Sequence, residues 1–426
     1  MQLKIKEEIL ILPLILVLII AGCSKKSINE PDNSIPNAVY IYLDDIQQTI
    51  RGFGAANILP WRPDMTTDEI NKAFGTGDGQ LGFSILRLRV PLDTNEFSLN
   101  IPTARLAYSM GVTIIASPWS PPAWMKTNDN IVGGRLSDTS YASYAVYLKS
   151  FVDYMSANGV PLYAISVQNE PDVTVGYESC DWNATQMLRF VKEDAPVIGI
   201  KIIAPESASF NHTISDAILN DPIASANLSI VGGHIYGGTI ENYPLAVSKG
   251  KEVWMTEYLI NSGNPPSNLG IDTGWTGAMQ TAESINECMN ANMNAYVWWY
   301  IVRYYGPIAD GTYATKGDIT KKGYVMSQFA RFIRPGFVRV NSTSNPQKLV
   351  STSAYKNGSK VVIVVINQNS NSVDQQFIIG DGAVNAFTPY TTSENKNCLQ
   401  GNNITVSNNS FTATLEPMSI TTFVSD

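Results

Sequence analysis

The chain has 426 residues, 44% of them apolar and 15% charged, a balance that fits a globular protein with a sizeable core. Its net charge of −8 argues against nucleic acid or any other polyanion as a general partner, so an acidic substrate would have to be recognised locally, by one or two placed arginines. With two histidines and four scattered cysteines there is no zinc-type spacing and no disulfide framework, and neither a phosphate-binding glycine loop nor a Gly-x-Ser-x-Gly elbow occurs. Neither a metal nor an organic cofactor is therefore expected.

The first 22 residues read as a targeting segment. Lys4 and Lys6 precede the apolar run Ile9–Ile20, whose length of about 12 residues suits a signal-peptide h-region better than a membrane span. The ending Ile20-Ala21-Gly22-Cys23 resembles a bacterial lipoprotein box, which makes Cys23 the lipidated first residue of an exported protein at the outer membrane or cell surface. An ordinary cleaved signal with an incidental cysteine is the alternative. Residues 23–37, polar with Pro31 and Pro36, read as a tether, and the membrane is expected to be met only through the lipid. At least one of Cys180, Cys288 and Cys398 must then be unpaired. A monomer is expected.

Segment Ala38–Thr49 is strand-like. From about residue 50 to 335, short apolar strands alternate with helical patterns: Gly52–Ala56, Ile85–Val90, Val112–Ser117, Leu162–Gln168, Lys201–Pro205, Ile230–Tyr236, Glu252–Glu257 and Asn294–Ile301. Several are near-continuous apolar runs, as parallel strands buried on both faces require. Within Tyr141–Asn158 the residues Tyr144, Leu148, Phe151, Val152 and Met155 form one helical stripe, and Gly159 follows as a stop signal. Eight strands with intervening helices predict an α/β fold, a (β/α)₈ barrel over 51–335. A doubly wound open sheet is the alternative.

After Pro335 the texture changes. Leu349–Tyr355, Lys360–Asn367, Gln375–Ile379, Ile404–Val406 and Ile420–Val424 are short β-rich segments between Asn, Ser and Gly clusters. They predict an antiparallel β-sandwich side domain, formed by 38–50 together with 336–426.

Chemistry concentrates at two strand ends. Val167-Gln168-Asn169-Glu170-Pro171 closes the fourth barrel strand and Trp254-Met255-Thr256-Glu257 the seventh, at the barrel face where catalytic residues gather. Three βα units of about 30 residues predict about 90 positions between them, and Glu170 and Glu257 are ~87 apart. A lone glutamate at a strand end is more often a surface or ion-pair residue; two on non-adjacent strands of one barrel reverse that reading. Glycosidic cleavage needs such a pair, one carboxyl to protonate the leaving oxygen and one to stabilise or trap the oxocarbenium-like centre. Glu170 is assigned as acid/base and Glu257 as nucleophile. Their mutual repulsion in a semi-enclosed cleft is expected to raise the pKa of the acid.

Asn169-Glu170-Pro171 with Glu257 resembles the retaining barrels of clan A. The opening Gly52-Phe53-Gly54-Ala55 and Ser120-Pro121-Pro122-Ala123-Trp124-Met125 are similar to glycoside hydrolase family 30, over nearly the whole mature chain. The resemblance implies that Asn169 bonds the sugar 2-hydroxyl, that Arg89 stays near Glu257 and holds it ionised, and that Tyr236 contacts the nucleophile or its sugar. Trp119 and Trp299 would line the cleft, or else sit in the barrel core. For His234 a hydrogen-bonded strand-end role is preferred to direct catalysis.

The segment Trp298-Trp299-Tyr300-Ile301-Val302-Arg303-Tyr304-Tyr305-Gly306-Pro307 is similar to the glucuronoxylanase branch of that family. There, an arginine and a tyrosine two places later hold the carboxylate of a methylglucuronate branch on xylan. The resemblance implies that Arg303 and Tyr305 do so here, with Trp299, Tyr300 and Ser262 as further contacts, and a guanidinium fork suits one carboxylate. Arg303 in an ordinary rim ion pair is the alternative. The match has departures: Val302 replaces a second arginine, Tyr258 and Leu259 shift an aromatic by one place, and Asp172-Val173-Thr174-Val175 lacks an aromatic that Tyr177 or Trp182 would supply.

 

The expected activity is endo-cleavage of β-1,4-xylosyl bonds in (methyl)glucuronoxylan, with retention of anomeric configuration. Other family 30 activities (β-xylosidase, xylobiohydrolase, β-1,6-glucanase, glucosylceramidase) are the enzymatic alternatives. A catalytically silent surface lipoprotein that captures glycans is the alternative of a different class.

Overall fold

The structure is a computed structural model that describes residues 35–260 and 274–426. The expected leader, Cys23 and Ser262 lie outside the described residues. After strand β1 (Val39–Thr49), eight strands run parallel in chain order: β2 (Gly52–Asn57), β3 (Ile85–Arg89), β4 (Thr113–Ser117), β5 (Ala164–Ser166), β6 (Lys201–Ser207), β7 (Leu228–His234), β8 (Glu252–Glu257) and β9 (Ala295–Tyr300). They close on themselves, β9 pairing with β2, so the sheet is a barrel and not an open doubly wound sheet.

Strand alternation sorts the residues. Ile85, Ile115, Ala164, Ile203, Ile230, Trp254, Ala295 and Val297 point inward and pack as one buried plug. Leu86, Leu88, Ile114 and Ala116 point outward, into the layer shared with the helices. Helix Tyr141–Ala157 buries the expected stripe of Tyr144, Leu148, Phe151, Val152 and Met155, and Gly159 takes a left-handed φ of +78° just beyond it. Helices Thr67–Phe74 and Ala184–Glu193 begin with capping boxes, Thr66 with Glu69 and Asn183 with Gln186, which satisfy otherwise orphaned N–H groups. Among the described residues, no helix is long and apolar enough to cross a membrane.

The second sheet comprises β1 with β10 (Val338–Ser342), β11 (Val350–Asn357), β12 (Lys360–Asn367), β13 (Val373–Ile379), β14 (Ala386–Ser393), β15 (Lys396–Gln400), β16 (Ile404–Thr405), β17 (Ser410–Leu415) and β18 (Ser419–Ser425). Its order is β15-β14-β18-β12-β11-β10-β1-β13-β17, with β16 beside β14. β1 lies antiparallel to β10 and parallel to β13, the one parallel pairing of this sheet among the described residues. On β12, Val361, Ile363 and Val365 face the core of this sheet, while Val362, Val364 and Ile366 join the core shared with the barrel helices. The unbroken apolar run of β12 thus reflects burial on both faces. Thr422 Oγ1 donates to the Gln328 carbonyl (2.8 Å), and Gln328 Nε2 donates to Thr392 Oγ1 (2.7 Å), so these two bonds tie the last barrel helix to the sheet.

Candidate active site

The C-terminal ends of β3, β5, β6, β7 and β8 converge on one set of charges. Glu257 is the last residue of β8, and Glu170 lies four residues past β5. An oxygen of Glu170 and an oxygen of Glu257 lie within 4.8 Å of each other and of a His234 ring nitrogen. Glu170 and Glu206, just after the Pro205 of β6, both hold a left-handed backbone (φ +46° and +58°), a strained state that non-glycine residues keep only where the surroundings enforce it. The Glu170 N–H donates to the Glu206 carbonyl at 3.0 Å, which ties the two bends together.

Arg87 is the hub. Its guanidinium is fully buried and donates to Glu257 Oε2 (2.7 Å), to Asn169 Oδ1 (2.7 Å) and to Ser117 Oγ (3.2 Å), with Glu206 at 3.4 Å. It lies 4.8 Å from the centre of the Trp119 ring. This corrects the expectation for Arg89. Both arginines share the inner face of β3, but two residues separate them by about 6–7 Å along the strand. Arg89 is therefore carried up to the rim, where it pairs with Glu178 (2.6 Å) beneath Trp61 and makes no bond to Glu257.

Glu257 also receives the Tyr236 hydroxyl on Oε1 at 3.0 Å. Glu170 receives His234 Nδ1 on Oε1 at 3.0 Å and the Tyr177 hydroxyl on Oε2 at 3.4 Å. On the far side of the imidazole, Nε2 faces Glu206 Oε1 at 3.9 Å, an ionic contact rather than a hydrogen bond. Around the carboxylates, a cavity of about 470 Å³ is lined by Trp61, Trp119, Tyr177, Tyr236, Leu259, Trp299 and Tyr300. Asn169, Trp119, Tyr236, Trp299 and Tyr300 thus join Glu170 and Glu257 in one cleft region, and Tyr177 takes the place of the missing aromatic. Trp182 does not: it is buried, packing on Tyr141 and Phe190.

Arg303 stands outside this lining. It pairs with Asp310 at 3.0 Å and lies over Tyr304, with Tyr305 farther off. Tyr305 is buried against the cluster of Trp119 and Tyr300. Four contributors escaped the sequence reading: Arg87, Glu206, Trp61, and Tyr177 as a partner of Glu170. Glu206 carried a usable signal, a glutamate at the C-terminal end of a barrel strand, as Glu257 is.

The charges set one another. Burial pushes the His234 imidazole down, but the Glu257 charge, the bond to Glu170 and the facing Glu206 carboxylate outweigh it and lift its pKa to about 9. Burial pushes Glu206 up, yet Arg87 and His234 hold it at about 2. The expected elevation of Glu170 is absent in the unliganded chain. Burial raises it, but the bond and charge of His234, with Arg87, bring it below the ordinary glutamate value. Burial instead raises Glu257, with help from the Glu170 charge and against His234 and Arg87. Glu170, His234 and Glu257 converge closely enough to grip a cation. A cation there would, however, compete with the Arg87 guanidinium on Glu257 and with the Nδ1–H on Glu170, so the donor set fits proton transfer better.

Buried paired carboxylates above a closed parallel barrel, flanked by rings that can stack on sugar, define a barrel glycoside hydrolase. The profile of the glycosyl hydrolase family 30 TIM-barrel domain matches residues 62–229. Glucuronoxylanase XynC of Bacillus subtilis is 42% identical over 387 residues, 89% of each chain. The family 30 subfamily 8 xylanase Xyn30A of Clostridium acetobutylicum superposes with a TM-score of 0.83 at 39% identity, over 92% of this chain and all of that one. A family 30 endoxylanase of Clostridium papyrosolvens gives 0.82 at 38% identity, over 91% and 100%. The chain belongs to glycoside hydrolase family 30.

Proposed function

We propose that the protein is a retaining endo-xylanase acting on glucuronoxylan, with Glu170 as acid/base and Glu257 as nucleophile. The observation that carries this reading is the approach of the two carboxylates to within 4.8 Å. Retaining glycosidases hold their carboxyl groups about 5–5.5 Å apart, whereas inverting ones leave about 6.5–9.5 Å for a water. Glu257, gripped by Arg87 and Tyr236, attacks the anomeric carbon as the glycosidic C–O bond breaks, and Glu170 gives its proton to the departing oxygen. Water then attacks the glycosyl ester, its proton returns to Glu170, and Glu257 leaves. Asn169, fixed by Arg87, presents its amide to the sugar 2-hydroxyl.

Xylan as substrate is supported by the 42% identity to a glucuronoxylanase. Selection of a glucuronate branch falls to Arg303 and Tyr305. Asp310 engages Nη1 of Arg303 and Tyr305 lies beside the guanidinium, whose five-donor fork has capacity for a further carboxylate. Mass spectrometry of products tests the reading. Glucuronoxylan should yield oligosaccharides that each carry one branch at a fixed distance from the reducing end; equal cutting of unbranched or arabinosylated xylan removes the glucuronate part. Glu170→Ala and Glu257→Ala should each abolish release of reducing sugar, and activity retained in either overturns the assignment. Outside the catalytic unit, we propose that Cys23 is lipidated and holds a monomer at the outer membrane or cell surface. Metabolic labelling with a clickable fatty acid, lost in Cys23→Ala, tests this.

A further inference from the structure

The two catalytic carboxylates account for bond exchange but not for the charge packed behind them. Arg87, His234 and Glu206 are each fully buried, and a buried ion without a counter-charge is costly. Glu206 has no place in the two displacements: it points away from the cleft lining, toward Arg87 at 3.4 Å and His234 Nε2 at 3.9 Å. Neither Glu206 Oε1 nor His234 Nε2 has a hydrogen-bond partner. They face each other as an ion pair.

We propose that Glu206 is a positioning residue whose fixed negative charge keeps His234 an imidazolium aimed at Glu170 through both halves of the reaction. The proposal rests on the reading of Glu170 as acid/base and Glu257 as nucleophile. The charge count explains the need for it. In the substrate-bound state Arg87 and His234 are cationic, Glu206 and Glu257 anionic, and Glu170 is protonated, so the cluster is neutral. After the first displacement Glu257 is a neutral ester and Glu170, having given its proton to the leaving oxygen, is the anion, so the cluster is neutral again. When water attacks and its proton passes to Glu170, the charge returns to Glu257. Two fixed cations always face one fixed anion and one anion that alternates between the catalytic carboxylates. Without Glu206 the cluster would carry a net positive charge at every stage, and His234 would be the group to release a proton.

The geometry gives the imidazolium a task. Its Nδ1–H occupies Oε1 of Glu170, which leaves Oε2, the oxygen now facing the Tyr177 hydroxyl, to hold the catalytic proton toward the cleft. A neutral His234 would no longer be compelled to carry its hydrogen on Nδ1, and Glu170 would lose that orientation. The groups that face His234 are Glu170, Glu206 and Glu257, with Arg87 paired to Glu206 and the Tyr236 ring edge-on at 5.9 Å. Of the anions among them, Glu206 alone neither bonds to substrate nor changes charge during turnover.

Glu206→Gln keeps the shape and leaves the carbonyl that accepts the Glu170 N–H, so it removes charge selectively. Two readouts are taken: the pH profile of kcat/KM on glucuronoxylan, and the titration of the His234 ring by NMR. An opposite charge within about 4–6 Å moves a pKa by about 1–3 pH units, so the alkaline limb and the imidazole titration should both move at least about one unit toward acid in Glu206→Gln. Glu206→Asp should recover part of both shifts. A uniform fall in kcat/KM with the alkaline limb and ring titration unmoved would show a merely structural role and overturn the proposal. Should Glu206→Gln fail to fold, the wild-type ring still decides: a neutral His234 imidazole at pH 7 overturns it. The underlying assignment is tested apart from this. Glu170→Ala should lose activity on xylan but regain turnover of an aryl xylobioside with azide, and failure there condemns the acid/base reading whatever Glu206 does.

Discussion

Replacing Arg87 by methionine separates the arginine that serves the nucleophile from the one that serves the rim. The side chain is fully buried and donates to Glu257, Asn169 and Ser117. Methionine fills most of the volume but leaves Glu257 and Glu206 buried without their cation. Breaking a buried ion pair from one side costs about 3–5 kcal/mol, and that much stability should be lost in urea unfolding followed by tryptophan fluorescence. Loss of a cation at 2.7 Å should raise the Glu257 pKa by about 1–3 pH units, moving the acidic limb of kcat/KM toward neutral by that amount. Arg87→Lys keeps the charge but cannot span Glu257 and Asn169 at once, and should lose about 100-fold in kcat/KM, equivalent to about 3 kcal/mol. Arg89→Met is the control: it breaks the pair with Glu178 and should lower stability while the acidic limb stays in place. An Arg87→Met enzyme within threefold of wild type, with its acidic limb unmoved, would refute the reasoning.

Tyr236→Phe removes one charge-assisted bond to Glu257, worth about 1.5–3 kcal/mol, so kcat/KM should fall about 10- to 100-fold, measured as reducing-sugar release. Arg303→Ala should slow hydrolysis of glucuronoxylan at least about tenfold more than that of unbranched xylan, because an arginine–carboxylate bond contributes only to the branched polymer; equal losses on both would contradict the specificity role. Stability should depend on pH through two buried groups. His234, raised from 6.5 to about 9, contributes stability that is complete below about pH 6.5 and lost as pH rises through 9. Glu206, lowered from 4.5 to about 2, contributes stability present above pH 4.5 and lost as pH falls through 2. The urea midpoint should therefore be highest between about pH 4.5 and 6.5, and His234→Gln should flatten the alkaline decline. Cys180, Cys288 and Cys398 are free and buried, and should react with a thiol reagent only after unfolding.

Much of the architecture was written locally. Each barrel strand is an apolar run whose period and length announce burial on both faces, and all eight were legible within a few residues. The second sheet was harder. β14 (Ala386–Ser393) and β15 (Lys396–Gln400) are polar and half-exposed, so little of their sequence advertises a core, whereas β17 (Ser410–Leu415) is short and buries only Phe411, Ala413 and Leu415 in alternation. Leu259 and Tyr177 reach the cleft from loops, which carry no periodicity to read.

The sequence alone determined the barrel, its side sheet and the two glutamates, because strand alternation and the repeat of about 30 residues per βα unit set which strand ends share a face. Only the tertiary structure decided between Arg87 and Arg89, and it alone showed which charges Glu206 meets. Both arginines have the same inward phase on β3; which one meets Glu257 depends on height along the barrel axis, a property of strand stagger between residues far apart in the chain. Glu206 acquires meaning from a histidine on the next strand and an arginine across the barrel, and no spacing in one dimension encodes that meeting.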